Sequence, residues 1–425
     1  MSSASPTSSP VWHPFTQHAL MGESPRIVRA QGAWLEAADG RRYLDAISSW
    51  WVTTHGHGHP RITAAIRDQA EKLDQVIFAG LTHEPAEAVA RGLVRLGPPG
   101  LAHVFFSDSG STAVEVGLKM ALGFWRNRGE TRTRILALEH AYHGDTAATM
   151  SVGARGVFNA AYEPLLFEVG RIPFPAADRE QATYDALDIA CSRGDVAALI
   201  VEPLILGAGG MLVYAPEALA EMVRICRRHR VLVIADEVMT GWGRTGTLFA
   251  CEQAGVSPDI MCMAKGLTGG ALPLAATLAT SEIFDAHCSR DRTKTFFHSS
   301  SYTANPIACA AASANIEIWE TEPVRQRVAA LGEMQRKHLA SFAGDPRFAN
   351  LRRLGTITAL DAEARDAGYF AGIGPELYEA FMARGVLLRP LGNTIYVMPP
   401  YCIGEDELAG VYDTIGEAVA SVTGR

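Results

Sequence analysis

Between residues 103 and 279 short apolar runs alternate with longer stretches in which apolar positions recur every three or four residues. The run "HVFFS" (103–107) reads as a strand, and "STAVEVGLKMALGFWRNRG" (111–129) as the helix after it. The runs "RILALE" (134–139), "VAALIVEPL" (196–204) and "VLVIADEV" (231–238) are strand-like, and the helical "PEALAEMVRICRRH" (216–229) separates the last two. "DIMCMA" (259–264) and "LPLAATLA" (272–279) predict two more strands, and a long helix begins near "NPIACAAASANIEIWE" (305–320). Apolar strands spaced by helices predict a mainly parallel sheet covered on both faces.

The two ends of the chain have a different texture. "AWLEAADGRRYLDA" carries an Asp-Gly turn between β-like runs. Beyond residue 325, helical stretches mix with short strands such as "VLLRP" and "TIYVMPP". The pattern predicts a disordered polar leader over 1–10 and a large central unit over 61–320. The segments 11–60 and 321–425 together form a smaller α+β unit.

Composition removes several classes of function. The chain has 425 residues, 48% hydrophobic and 20% charged, with a net charge of −8, which gives no footprint for nucleic acid. It has no apolar run long enough for a membrane span, and "MSSASPTSSP" lacks the apolar stretch of a signal peptide. Seven cysteines lie scattered with no CxxC pair, as expected of reduced thiols in a cytoplasmic protein, most of them filling core.

In a parallel sheet, ligands bind beyond the carboxyl ends of the strands. "VLVIADEV" runs straight into Asp236, which puts a carboxylate at that edge; taken alone, a solvated acid fits as well. Lys265 follows the next apolar strand and precedes Gly266, Gly269 and Gly270. A lysine in that setting is desolvated, which lowers its pKa and makes it a better nucleophile. This pair suits pyridoxal phosphate (PLP), which a lysine holds as a Schiff base while an aspartate keeps the pyridine nitrogen protonated. Ser109-Gly110-Ser111-Thr112, between a strand and a helix, offers a phosphate cradle, although an ordinary Ser/Thr N-cap has the same composition. Tyr142 and Asp145 in "HAYHGDTAATMSVG" supply a stacking ring and an acid, and "FFHSSSYTANP" (296–306) is a second hydroxyl-rich phosphate candidate. "GWGRTG" (241–246) matches a dinucleotide fingerprint by spacing only. It neither directly follows a strand nor opens a convincing helix, so it predicts a tight structural loop.

These residues resemble the class III (ω-type) aminotransferases, from Trp12 almost to the C-terminus. The resemblance rests on "WHPFTQ" (12–17), "SSWW" (48–51), "SDSGSTAVEVGLKMA" (107–121), "YHGDT" (142–146), "GAGGM" (207–211), "IADEVMTGWGRTG" (234–246), "AKGLTGG" (264–270) and "RPLGNTIYVMPPY" (389–401). It implies an α/β, type I PLP-dependent transferase fold with the smaller domain built from both chain ends. "SSWW" and "RPLGNTIYVMPPY" are most similar to the family's biotin-synthesis branch. That branch aminates 8-amino-7-oxononanoate to 7,8-diaminononanoate, with S-adenosylmethionine as the default donor. A broad ω-amine transaminase is the alternative within the same family.

The resemblance also implies residue roles. Lys265 would hold the cofactor and shuttle the proton, and Asp236 would pair with the ring nitrogen. Gly110 and Ser111 would bind the phosphate, and Tyr142 would lie over the ring. Ser301, with Ser300 beside it, would reach the phosphate of a neighbouring subunit, making the active sites of a homodimer shared. Phe15, Trp50, Ser299 and Arg389 would contact substrate, with the Arg389 guanidinium binding the substrate's carboxylate. Asp145 and Arg244 stand as second-tier site residues. Two positions depart from the family pattern: Phe15 stands where a tyrosine is common, and Ser300-Ser301 where Pro-Thr is common. Phe15 leaves the donor open between S-adenosylmethionine and lysine. His55, His57 and His59 would share a face only in an extended strand, which the alternating glycines disfavour, so turn residues rather than metal ligands are expected.

Overall fold

The buried runs assemble as their composition demands. In the computed structural model, which describes residues 9–364, 366–369 and 371–424, the strands Val196–Val201, Leu232–Asp236 and Ile260–Met263 are buried along their whole length. Strands rich in β-branched and aliphatic residues, with no polar face, must be covered on both sides. Residues 1–8 of the expected leader lie outside the described residues.

Seven strands form the central sheet. Their order is Leu101–Ser107, Ala275–Thr280, Ile260–Met263, Leu232–Asp236, Val196–Val201, Arg134–Leu138, Gly170–Ile172. The pairings from Ile260–Met263 through Gly170–Ile172 are parallel. The Ala275–Thr280 strand runs antiparallel to both its neighbours. The reason is the connection over 264–274, which is too short for the dozen or more residues that a parallel crossover requires. The carboxyl ends of six strands, at Ser107, Leu138, Ile172, Val201, Asp236 and Met263, therefore end at one edge of the sheet.

The expected helix after "HVFFS" spans Gly110–Asn127. Ser109 caps it: its hydroxyl accepts from the Thr112 N–H at 3.2 Å, and the Thr112 hydroxyl accepts from the Ser109 N–H at 2.9 Å. Its buried face is small where it meets the sheet, with Ala113, Val114, Gly117 and Ala121. The long helix near 305 spans Pro306–Thr321, capped by Asn305, whose side chain accepts from Ala308 N–H at 3.0 Å.

Both chain ends do meet in one small sheet. The hairpin Trp34–Ala37 and Arg42–Asp45 turns at Asp39-Gly40, and Val386–Leu387 adds in parallel to Arg42–Asp45. A second sheet, Phe348–Leu354, Ile357–Ala362 and Thr394–Val397, is wholly antiparallel. Cys191, Cys226, Cys251, Cys262 and Cys309 are buried, Cys288 and Cys402 exposed. Among the described residues no helix is long and apolar enough to cross a membrane.

The three histidines take different polar partners, although the His55 and His59 rings lie 5.7 Å apart. His55 meets Asn315 Oδ1 at 2.8 Å, and burial pushes its ring down to about 4. His57 meets Asp45 at 2.8 Å, and His59 reaches Glu322 at 3.5 Å. "GWGRTG" is a loop with Trp242 and Arg244 fully buried, followed only by the short 3₁₀ turn Ala250–Ala254.

Candidate active site

Lys265 sits immediately beyond the Ile260–Met263 strand, in a turn where its own φ is +43°. A lysine in the left-handed region is strained by its Cβ, so the surrounding packing must hold it there. Part of that packing comes from Gly270: a Cβ at this residue would lie 2.6 Å from the carbonyl carbon of Val52. The glycine lets the 48–54 segment lie against the lysine loop. The Lys265 ammonium then stands 5.2 Å from the centre of the Trp51 ring. Its burial holds its pKa below the usual lysine range, against the opposing pull of the Asp236 and Glu202 charges.

Asp236 ends the neighbouring strand and is 5% exposed. Its carboxylate accepts from Val238 N–H at 3.1 Å and meets His143 Nδ1 at 2.7 Å. Lys265 and Asp236 both line a cavity of about 430 Å³, together with Ser109, Gly110, Ser111 and Tyr142. The cavity thus has an amine, a carboxylate, a helix N-terminus and an aromatic ring on its walls. Gly144 closes the cradle. A Cβ on it would lie 2.1 Å from the Ser111 hydroxyl oxygen, and its φ of +127° suits glycine alone. These features fit PLP: a buried amine for the aldehyde, an acid for the ring nitrogen, and N–H groups for the phosphate.

Tyr142 is fixed at both ends. Its backbone N–H donates to Glu202 at 2.9 Å and its phenol donates to Asp145 at 2.9 Å. Desolvation and the Asp145 charge push its pKa far up, so it stays a neutral phenol. Glu202 also accepts from Gly207 N–H at 2.9 Å, and burial raises its carboxyl to about 7.

Three of the residues assigned to substrate, Phe15, Trp50 and Arg389, lie together. Arg389 donates to the Phe15 carbonyl at 2.9 Å and lies 5.4 Å from the Trp50 ring centre. The Phe15 ring meets Trp50 at 5.7 Å and Phe158 at 6.0 Å, and Phe158 meets Tyr142 at 6.0 Å. Trp50 is 42% exposed and does not line the lysine cavity, whereas its neighbour Trp51 does. Ser299, Ser300 and Ser301 do not line it either. Ser300 hydrogen-bonds the Asp108 carboxylate, and Gln75 donates to the Ser301 carbonyl at 2.7 Å. The guanidinium of Arg244 is spent on backbone carbonyls, those of Thr53 at 2.9 Å and Pro399 at 3.1 Å, which ties the large unit to both chain ends. His143, Glu202 and Trp51 were missed as site residues. His143 stands inside the quoted "YHGDT", and its place beside Tyr142 was the available signal.

A lysine and an aspartate on successive strand ends, over a helix N-terminus, define a PLP-dependent transferase, and the chain belongs to the class III aminotransferases. The profile of that family, "Aminotransferase class-III", matches residues 21–419. The chain is similar to the adenosylmethionine-8-amino-7-oxononanoate aminotransferase of Synechococcus elongatus, with 46% identity over 98% of this chain and 100% of that one. The protein of the same name from Geobacter sulfurreducens is 38% identical over 97% of this chain and 96% of its own. Among solved structures, the enzyme of that name from Methanocaldococcus jannaschii superposes with a TM-score of 0.91 at 32% identity, covering 96% of this chain and 97% of that one. An amine transaminase from an uncultivated Pseudomonas species, in its PLP-bound form, also gives 0.91 at 32% identity, over 98% of this chain and 100% of that one. The cofactor of this chain is PLP.

Proposed function

We propose that this protein transfers an amino group from S-adenosylmethionine to 8-amino-7-oxononanoate, giving 7,8-diaminononanoate for biotin synthesis. The near full-length 46% identity to a relative of that name carries the substrate reading, and the buried Lys265 carries the chemistry. Bound PLP supplies an electron sink for charge that develops on the carbon bearing the amino group. Asp236 holds the proton on the ring nitrogen. The N–H groups at the start of the Gly110–Asn127 helix and the Ser111 hydroxyl would hold the phosphate, and Tyr142 would cover the ring. Lys265 would hold the cofactor through its buried amine and, when free, would move a proton at the substrate carbon. Its lowered proton affinity suits both roles. Arg389 takes the acceptor's carboxylate between Trp50 and Phe15. Donor and acceptor use this one cavity in turn, so the kinetics are ping-pong. A second copy of the chain completes each site with its own 299–301 loop, and the assembled dimer works in the cytoplasm.

A broader ω-amine transaminase is the second reading. It is favoured by the equally close superposition of the Pseudomonas amine transaminase and by Phe15, which brings no hydroxyl. A single-turnover absorbance experiment decides between them. The PLP form is mixed separately with S-adenosylmethionine, lysine and a simple ω-amine, and conversion to the pyridoxamine form is followed. Rapid conversion by S-adenosylmethionine alone is expected. Conversion only by lysine or simple amines would overturn the donor and leave the fold and the lysine chemistry standing.

A further inference from the structure

A second cavity, of about 500 Å³, adjoins the lysine cavity, and Tyr142 and Gly144 belong to the walls of both. It lies between the 153–159 loop and the segments 361–364, 367–369 and 391–394. Both sides are held by side-chain bonds to backbone. Arg171 donates to the carbonyls of Val152, Ser151 and Gly153 at 2.6, 2.7 and 2.6 Å, and the Ala154 N–H donates to the Ala141 carbonyl at 2.7 Å. Opposite, Asn393 accepts from the Gly368 N–H at 3.0 Å and donates to the Ala362 carbonyl at 3.1 Å. Walls fixed in advance leave little to be ordered when a ligand arrives.

The lining combines aromatic rings with acid. Phe158 and Tyr369, both half-buried, meet edge to face at 4.5 Å. The two arginines of the lining are already committed. Arg352 pairs with Asp361 at 2.9 Å and donates to the Gly210 and Met211 carbonyls. Arg155 pairs with Glu163 at 3.2 Å and donates to the Met150, Ser151 and Phe167 carbonyls. Asp145 and Glu363 line the cavity with no ion pair among the described residues. Aromatic rings beside unneutralised carboxylates suit a flat, cationic ligand with hydroxyls to donate.

The acceptor's residues lie elsewhere. Phe15, Trp50 and Arg389 do not line this second cavity. Phe158 and Tyr369 touch both regions: Phe158 meets the Phe15 ring at 6.0 Å, and Tyr369 hydrogen-bonds the Arg389 side chain. We propose that the second cavity takes the nucleoside of the amino donor. Phe158 and Tyr369 pack against the purine base, Glu363 accepts from the ribose hydroxyls, and the amino-acid end reaches past Tyr142 and Gly144 to Lys265. The two aromatic residues thereby separate the donor's path from the acceptor's and determine donor specificity. This rests on the donor being S-adenosylmethionine.

The test uses the holoenzyme and methylthioadenosine, which has the nucleoside but no amino group to transfer. Its binding to the PLP form is measured by calorimetry. Its effect is then followed by absorbance in each half-reaction separately: the PLP form with S-adenosylmethionine, and the pyridoxamine form, loaded with pyridoxamine phosphate, with 8-amino-7-oxononanoate. Methylthioadenosine is expected to compete with S-adenosylmethionine and not to slow the acceptor's half-reaction. Phe158→Ala is expected to weaken its binding about tenfold, as for a lost base–aromatic stack. Should the alanine variant not fold, Phe158→Leu, which keeps bulk without a flat ring, decides in its place. Absence of binding, equal slowing of both half-reactions, or wild-type binding in the variant overturns the nucleoside site and leaves the donor standing. A wild-type PLP form that S-adenosylmethionine does not convert overturns the donor reading, and this one with it.

Discussion

At the scale of single residues, the site depends on groups held in states that water would not favour. Lys265 is buried, with its proton affinity lowered by desolvation. Replacing it with alanine should remove the covalent adduct seen by mass spectrometry after borohydride reduction, and lower turnover by about a thousandfold or more. Glu202 shows the opposite shift, its carboxyl raised from 4.5 to about 7 chiefly by burial. The folded state therefore binds its proton more tightly than the unfolded chain does. That contribution is complete below about pH 4.5 and is lost as pH rises through about 7, on the order of 3 kcal/mol in all. Thermal unfolding of the apo-chain between pH 5 and 8 should show it: wild type loses stability relative to Glu202→Gln as pH rises. A constant difference between the two would contradict it. Lys265 and Asp236 were legible because each ends an apolar run, a purely local signal. The partners of Asp236 were not. His143 stands 93 positions away in the chain, and only the parallel order of the strands brings it to the same edge. The contacts of Arg244 were hidden for a related reason: its donors go to carbonyls of the opening and closing segments, which only the fold brings to it.

At the scale of elements, the cradle is a contact between two strand-to-helix loops. Gly144 touches Ser111 so closely that even a methyl group must displace it. Gly144→Ala should cost about 2–4 kcal/mol, combining overpacking with a φ that alanine resists, and should weaken PLP binding in the same titration. Calorimetry of the apo-chain would separate the two effects. The alternation of strands and helices was readable along the chain, because a buried parallel strand is apolar throughout. The reversal of Ala275–Thr280 was not, since periodicity carries no direction; the length of the preceding connection was the only clue. The choice between Trp50 and Trp51 was equally hidden. Positive φ values at Ser48, Ser49 and Trp51 break the regular turn and swing adjacent side chains to unexpected sides. Asp45 stabilises that break, accepting from Ser49 N–H at 2.7 Å.

At the scale of the whole molecule, four exposed apolar side chains lie on the two segments that Gln75 and Ser301 join: Ile77 and Leu81 on one, Phe297 and Tyr302 on the other. Phe297 is 69% exposed and Tyr302 63%, more than a lone soluble subunit usually leaves in contact with water. In the proposed dimer, with this face as its interface, Tyr302→Asp should shift the protein to monomers in sedimentation velocity and lower its PLP affinity. A dimer undisturbed by that change would place the interface elsewhere. The backbone of Lys265 has a wider consequence. Its left-handed conformation and its desolvated amine both oppose folding, so the chain is less robust than its architecture would permit. Asparagine tolerates that conformation and brings no charge, so the PLP-free Lys265→Asn protein should melt higher than the PLP-free native one, by about 1 kcal/mol of stability. Selection for durability alone would discard this lysine. Its retention marks the point where endurance has been traded for reactivity, and directed evolution toward a hardier catalyst would have to find its gains elsewhere in the chain.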